Sequence, residues 1–296
     1  LVAEDESIGH EQLGRPPVLS YASYALHKWR RLAPQKPIEL GNVVLLQNFL
    51  GGLDEEWFVL IHIDIEAKAG PGLVGLVQAH NAARANKPDD VLQGLHALAA
   101  AQEAMRETLL RMPERCDPYI YYSRVRPYIH GWKNSPSLPQ GVVYEGVADY
   151  AQRPQQFRGE TGSQSSIVPA LDAGLGIPHA DDPLTQYLVE MRDYMPPRHR
   201  TFLAALEART DEQQRPLLYG YARDRKATHP DLWKAFCTCV DLLAQFRDIH
   251  IGYAERYIFR QHQSHASNPT AVGTGGTPFM PYLSKHLEET KRFTLD

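Results

Sequence analysis

The chain has 296 residues, 43% of them hydrophobic and 22% charged, with a net charge of −4 from 31 basic and 35 acidic side chains. This composition excludes a disordered chain, and charges spread without a basic patch argue against nucleic acid or a membrane surface as partners. Three cysteines, Cys116, Cys237 and Cys239, lack C-x-x-C spacing, which points to a reducing compartment and no structural zinc.

In chain order, Pro17 to Leu32 has aromatic and apolar residues at helical spacing, with Tyr21, Tyr24 and Ala25 on one side. The longest apolar run, Trp57 to Ile61, is far short of a membrane span. Trp57 to Ile65 alternates like a strand but runs into the alanine-rich Glu66 to Ala69, and a helix is expected there. Asp90 to Met112 is rich in helix formers and is followed by Pro113. Asp117-Pro118 is an N-cap with proline in the first turn, opening a helix over Tyr119 to Trp132 that Pro127 should kink or end. Asp182-Pro183 opens another helix through Tyr194, Pro196-Pro197 breaks it, and Arg198 to Arg209 resumes. Leu232 to Ile258 is one long amphipathic helix. Gln261 to Thr277, with the run Gly273-Thr274-Gly275-Gly276-Thr277, is expected to be a mobile loop or lid. No composition break marks a domain boundary, so one helical domain over 1–296 is expected. No secretory signal opens the chain, and a cytoplasmic protein is expected, although Leu1 is not an initiator methionine and leaves the native amino terminus open.

Chemistry-bearing residues are few. On the long helix the stripe of Phe236, Val240, Leu243, Phe246 and Tyr257 also carries His250, with Arg247 one turn before it. Such a histidine either ligates a buried metal or haem iron, with the guanidinium free to meet an acidic group at the cofactor's edge, or is a core histidine satisfied by a backbone carbonyl. Tyr121-Tyr122-Ser123-Arg124-Val125-Arg126 places two rings about one turn from an arginine, which suits an aromatic amino acid held by its carboxylate or, equally, a core stripe beside a surface arginine. The small residues from Gly159 to Ser166 allow close approach of a cofactor or form an ordinary capped loop. The glycine run at 273–277 has no following lysine and no flanking strand and helix, so it is neither a P-loop nor a dinucleotide fingerprint. His262 and His265 lack the partners of a metal site, and Ser165 lacks the pattern of a nucleophile elbow.

Several motifs in order carry a resemblance: Tyr128-Ile129-His130-Gly131-Trp132-Lys133 after Arg126, then Val143-Tyr144-Glu145-Gly146, Gly162-Ser163-Gln164-Ser165-Ser166, Met191-Arg192-Asp193-Tyr194-Met195-Pro196-Pro197-Arg198-His199-Arg200, the His250 helix, and the glycine run at 273–277. From about Pro16 to about Thr290 the chain resembles the indoleamine 2,3-dioxygenase family. The resemblance implies an all-α fold, the helical haem-binding large domain of that family, with haem b between long helices and His250 as the iron ligand. It implies cleavage of the C2–C3 bond of L-tryptophan or a close indole by O2 to N-formylkynurenine, with an electron donor keeping the haem ferrous. It also implies that Arg126 binds the substrate carboxylate, that Tyr121 and Tyr122 stack near the indole with Tyr21 and Tyr24 in the same pocket, and that Thr274 lies on a closing loop. Gly162 and Ser163 would lie by the haem, and Arg247 would pair with a propionate and with Asp172.

Departures from the animal pattern are Tyr121-Tyr122 in place of two phenylalanines and Tyr24 in place of a cysteine, which make the pocket more polar. His62 falls where those enzymes carry serine and where tryptophan 2,3-dioxygenases carry a distal histidine, and it is the expected catalytic residue, able to change charge near neutrality, or else a histidine that faces away from the haem and bonds a backbone carbonyl. The family's small amino-terminal domain is not represented and is expected to be absent or trimmed. A different reaction on a tryptophan derivative and a non-enzymatic haem sensor remain as alternatives.

Overall fold

The alanine- and glycine-rich middle of the chain folds into two long antiparallel helices, α1 (Leu53–Arg84) and α2 (Pro88–Leu110), which make the most extensive contact in the molecule. The computed structural model describes residues 13–135, 137–264 and 279–294. The two helices approach closely because their interface lacks side chains at the crossing. A Cβ on Gly75 would lie 2.8 Å from the carbonyl oxygen of Gly94, and one on Gly94 would lie 2.6 Å from that of Gly75. Before α1, the amides of Phe49, Leu50 and Gly51 donate to the Glu55 carboxylate, which fixes the start of the helix.

Further along come α3 (Ile167–Leu175), α4 (Pro183–Met191), α5 (Pro197–Glu207), α6 (Leu217–Asp224), α7 (Pro230–Ala254), α8 (Arg260–Ser264) and α9 (Phe279–Arg292). Asp117 and Asp182 cap their helices as expected, each accepting from two backbone amides. Helix α7 lies along α2, where the buried Gln102 amide donates to the Cys239 carbonyl at 2.9 Å, and α9 packs on α7. The main core joins Ile61, Leu76, Leu95, Leu171, Phe236 and Val240, all under 3% exposed. Among the described residues no helix is long and apolar enough to cross a membrane.

The structure is mostly helical, as expected, and several local readings change. Residues 57–65 are helical, inside α1. The helix expected over 17–32 is confined to Ala22–His27, in wide π-type turns. Trp29–Arg31 (β1) instead pairs antiparallel with Val43–Leu45 (β2), Arg30 opposite Val44. The buried Asn42 side chain closes the intervening turn by bonding Ala33 and Pro37, so local polar contacts and the strand partner outweigh helical spacing. The helix expected over 119–132 is three short pieces: Pro118–Ile120, a π turn over Tyr121–Val125 and a 3₁₀ turn over Arg126–Tyr128. Pro127 has no N–H to continue the ladder, and the Arg126 amide reaches back five residues to the Tyr121 carbonyl. The long helix leaves α geometry at Glu255–Phe259, and Gln261 and His262 belong to α8 rather than to a loop. The glycine run, with Thr274 and His265, lies outside the described residues.

Candidate functional site

Helices α1, α4, α7 and α9 enclose a cavity with about 1210 Å³ of empty space including its mouth. Helix α7 and the π turn after it supply His250, Tyr253, Ala254, Tyr257 and Ile258. Across from them stand Phe58 and His62 of α1, Tyr121 of the π turn, and the segment Glu160 to Ser163. Leu184, Tyr187 and Leu188 of α4 and Leu283 and His286 of α9 complete the walls.

The apolar stripe of α7 does not explain the chemistry of His250. Its accessible surface faces the cavity, packed protein surrounds it, and among the described residues its imidazole has no hydrogen-bond partner. Desolvation lowers its pKa and keeps the ring neutral, the form that ligates a metal. Three residues earlier, the nearly buried Arg247 donates through Nη2 to Asp172 at 2.6 Å and through Nη1 to Thr290 of α9. Burial alone would raise the Asp172 pKa, but Arg247 and His179 outweigh it and hold the carboxyl at about 2. His179 in turn bonds Glu289 through Nδ1 at 2.7 Å and stacks at 4.1 Å on His286, which faces the cavity.

The donor chemistry that haem requires fits these residues. A neutral imidazole without a hydrogen-bond partner opens on a large, mostly apolar cavity, and a buried cation stands one helical turn away for an acidic edge.

The opposite wall is aromatic and acidic. Phe58 packs against Tyr121 at 4.8 Å and against His62 at 4.5 Å between ring centroids. His62 Nδ1 lies 2.7 Å from the Phe58 carbonyl, so Nδ1 carries the proton and Nε2 is left as an acceptor. Burial, with His250 nearby and only partly opposed by that bond, lowers His62 to about 4. The expected charge change near neutrality is therefore corrected: desolvation keeps the ring neutral there. Tyr21 and Tyr24 sit one layer behind the wall, 5.8 and 6.5 Å from the His62 ring. Each engages an acid. Glu66 bonds Tyr21 and Ser165, whereas the Tyr24 hydroxyl donates to Glu160 at 2.6 Å. Burial pushes Glu160 up to about 7 against the opposing Tyr24 bond.

Arg126 is fully buried with its guanidinium 5.3 Å from the Tyr122 ring centroid, and neither residue reaches the cavity wall. The segment that carries Arg126 is clipped to the segment that carries Glu160 to Ser163. The Glu160 amide donates to the Ile129 carbonyl at 2.9 Å, and Gly131 crosses Gly159 so closely that a Cβ on Gly131 would be 2.1 Å from the Gly159 nitrogen.

The structure thus brings His62, Tyr121, Gly162, Ser163 and His250 to one cavity, with Tyr21 and Tyr24 behind it, Tyr122 and Arg126 beside it, and Arg247 paired with Asp172. Thr274 lies outside the described residues. Sequence reading missed Glu160, His179 and His286. Glu160 had one signal, an acid among small residues in a run that places backbone beside a ligand; the two histidines had none.

A sequence model of the family described as Indoleamine 2,3-dioxygenase matches residues 10–293. The chain is 34% identical to indoleamine 2,3-dioxygenase 1 of Rattus norvegicus, over 96% of this chain and 70% of that protein. It is 31% identical to indoleamine 2,3-dioxygenase of Saccharomyces cerevisiae, over 94% of this chain and 68% of that protein. A protein named myoglobin from Haliotis madaka is 30% identical, over 95% of this chain and 70% of its own length.

Proposed function

The chain belongs to the indoleamine 2,3-dioxygenase family, and from that premise we propose that it binds haem b and cleaves the C2–C3 bond of L-tryptophan or a close indole with O2, giving N-formylkynurenine. The observation that carries this reading is His250, a neutral imidazole without a described partner on the wall of a mostly apolar cavity. When bound, the haem supplies a ferrous iron that binds and activates dioxygen, and an external electron donor keeps it ferrous.

The chain's own residues orient the substrate and exclude water. Phe58 and Tyr121, packed on each other, give adjoining tilted faces against which an indole ring packs. His62, neutral and with Nε2 as an acceptor, orients the ring by accepting from the indole N–H. Arg126 holds the substrate carboxylate, which requires the backbone around Tyr122 or the bound ligand to bring the two together, since the guanidinium lies beside the cavity. Gly162 and Ser163 would border the cofactor, and Arg247 would receive a propionate while staying paired with Asp172. The chain acts as a single helical domain.

The test is His250→Ala. Haem incorporation should be lost, or become dependent on added imidazole, while far-ultraviolet circular dichroism stays helical. An unchanged haem spectrum in the variant would remove His250 from the iron. A second reading, reversible dioxygen binding without turnover, is favoured by the relative named myoglobin. It retains His250 but gives no product from the indole.

A further inference from the structure

On the α9 side of the cavity lies a second set of donors that the haem reading does not use. His179 follows α3, and His286 and Glu289 stand one turn apart on α9. The two imidazoles and the carboxylate each offer one ligand atom, and these atoms all lie within 4.8 Å of one another. Glu289 Oε2 is 2.7 Å from His179 Nδ1, and Asp172 Oδ2 is 3.2 Å from Nε2 on the other side of the ring. Both ring nitrogens therefore face carboxylates, whereas a neutral imidazole has only one N–H to give. Nε2 is buried without a hydrogen-bond partner. The His286 imidazole, stacked on His179, has no hydrogen-bond partner among the described residues either.

We propose that His179, His286 and Glu289 bind a divalent transition-metal ion of the zinc type. Two imidazoles and a carboxylate are a donor set that suits zinc, and three protein ligands leave the fourth tetrahedral position to water. His179 ligates through Nδ1, which leaves its N–H on Nε2 directed at Asp172; a ligating histidine commonly gives its other N–H to a carboxylate in this way. The stacked rings must turn for both lone pairs to meet one ion, and donor atoms already within 4.8 Å of one another keep that motion small. Two cations face the acids of the site. Lys285 approaches Glu289 at Oε1, 3.7 Å away, and Arg247 is paired with Asp172, so Glu289 Oε2 remains for the ion. The ion ties α9, one wall of the cavity, to the segment after α3. It uses neither His250 nor Arg247 and does not depend on the haem reading.

The experiment is equilibrium dialysis of the haem-loaded protein against zinc sulfate in a buffer that does not bind metal, with bound zinc counted by elemental analysis and its ligands read from X-ray absorption at the zinc edge. One zinc per chain should bind in the micromolar range or tighter, with two imidazole neighbours, further oxygen neighbours and no sulfur, at about 2.0–2.2 Å. His286→Phe, which keeps a ring against His179, and Glu289→Gln, which keeps a hydrogen-bonding group there, should each weaken binding about tenfold or more. Zinc bound equally well by wild type and both variants is adventitious and overturns the proposal, as does the lack of any zinc bound in the micromolar range. The wild-type absorption spectrum decides independently of whether either variant folds: fewer than two imidazole neighbours around the zinc removes the site.

Discussion

Arg126 is the residue whose role combines the most energy with the least room. A guanidinium with no exposed surface loses hydration, and burial lowers its pKa, with Tyr121 and Tyr122 partly compensating. A substrate carboxylate would add a charge-assisted hydrogen bond to the guanidinium, so Arg126→Leu should weaken L-tryptophan binding about ten- to a hundredfold, from roughly 1.5–3 kcal/mol, while haem content stays constant. Binding titrations on the ferric protein measure this, and unchanged affinity would assign the carboxylate to another group. At this scale the sequence was legible where residue type and helix position act together. His250 and Arg247 could be placed on one face of one helix from spacing alone, and the Arg247–Asp172 pair followed from resemblance. The structure puts His62 on the cavity wall, but its charge state was not legible, because desolvation depends on Tyr24 and Tyr21, which only the fold brings around it.

At the level of elements, the site depends on a crossing of two irregular segments. Gly131 lies against the backbone of Phe157, Arg158 and Gly159, and hydrogen bonds from Trp132 and Lys133 to the Phe157 carbonyl, at 2.8 and 3.0 Å, close the clip. A methyl group at Gly131 meets backbone atoms rather than a flexible side chain. Gly131→Ala should therefore cost about 1–3 kcal/mol in stability and loosen Glu160 to Ser163 from the Arg126 segment. Gly252→Ala, in α7 with nothing within 4 Å of the new methyl and no proline after it, should be neutral or stabilising by up to about 1 kcal/mol. Urea unfolding of the two variants checks the contrast, and equal effects would deny the clip its role. Proline and aspartate punctuation made α4, α5 and the Asp117 cap readable in advance, since their signals are local. The strand pair and the π turn at Tyr121–Val125 were not readable, because their hydrogen-bond partners come from Val43–Leu45 and from the restriction Pro127 imposes.

For the whole molecule, the cavity stores a cost that pH reveals. Glu160 has its pKa raised from 4.5 to about 7 in the folded protein, so the folded state holds its proton longer than the unfolded chain does. Stability from this group is complete below 4.5 and is lost as pH rises through about 7. Between those limits wild-type protein should lose roughly 1–3 kcal/mol more than Glu160→Gln, and parallel pH profiles would contradict the burial of a proton there. Overall helical architecture was legible from composition and periodicity, whereas a cavity is a property of packed helices and has no sequence signal of its own. The central claim, that this cavity holds haem at His250 and oxidises an indole there, is tested most directly by one single-turnover measurement. The haem-loaded protein is reduced without oxygen in the presence of L-tryptophan, labelled dioxygen is admitted, and the product is identified by mass. The account predicts N-formylkynurenine carrying both labelled oxygen atoms; tryptophan recovered unchanged beside a protein that binds and releases dioxygen would contradict it.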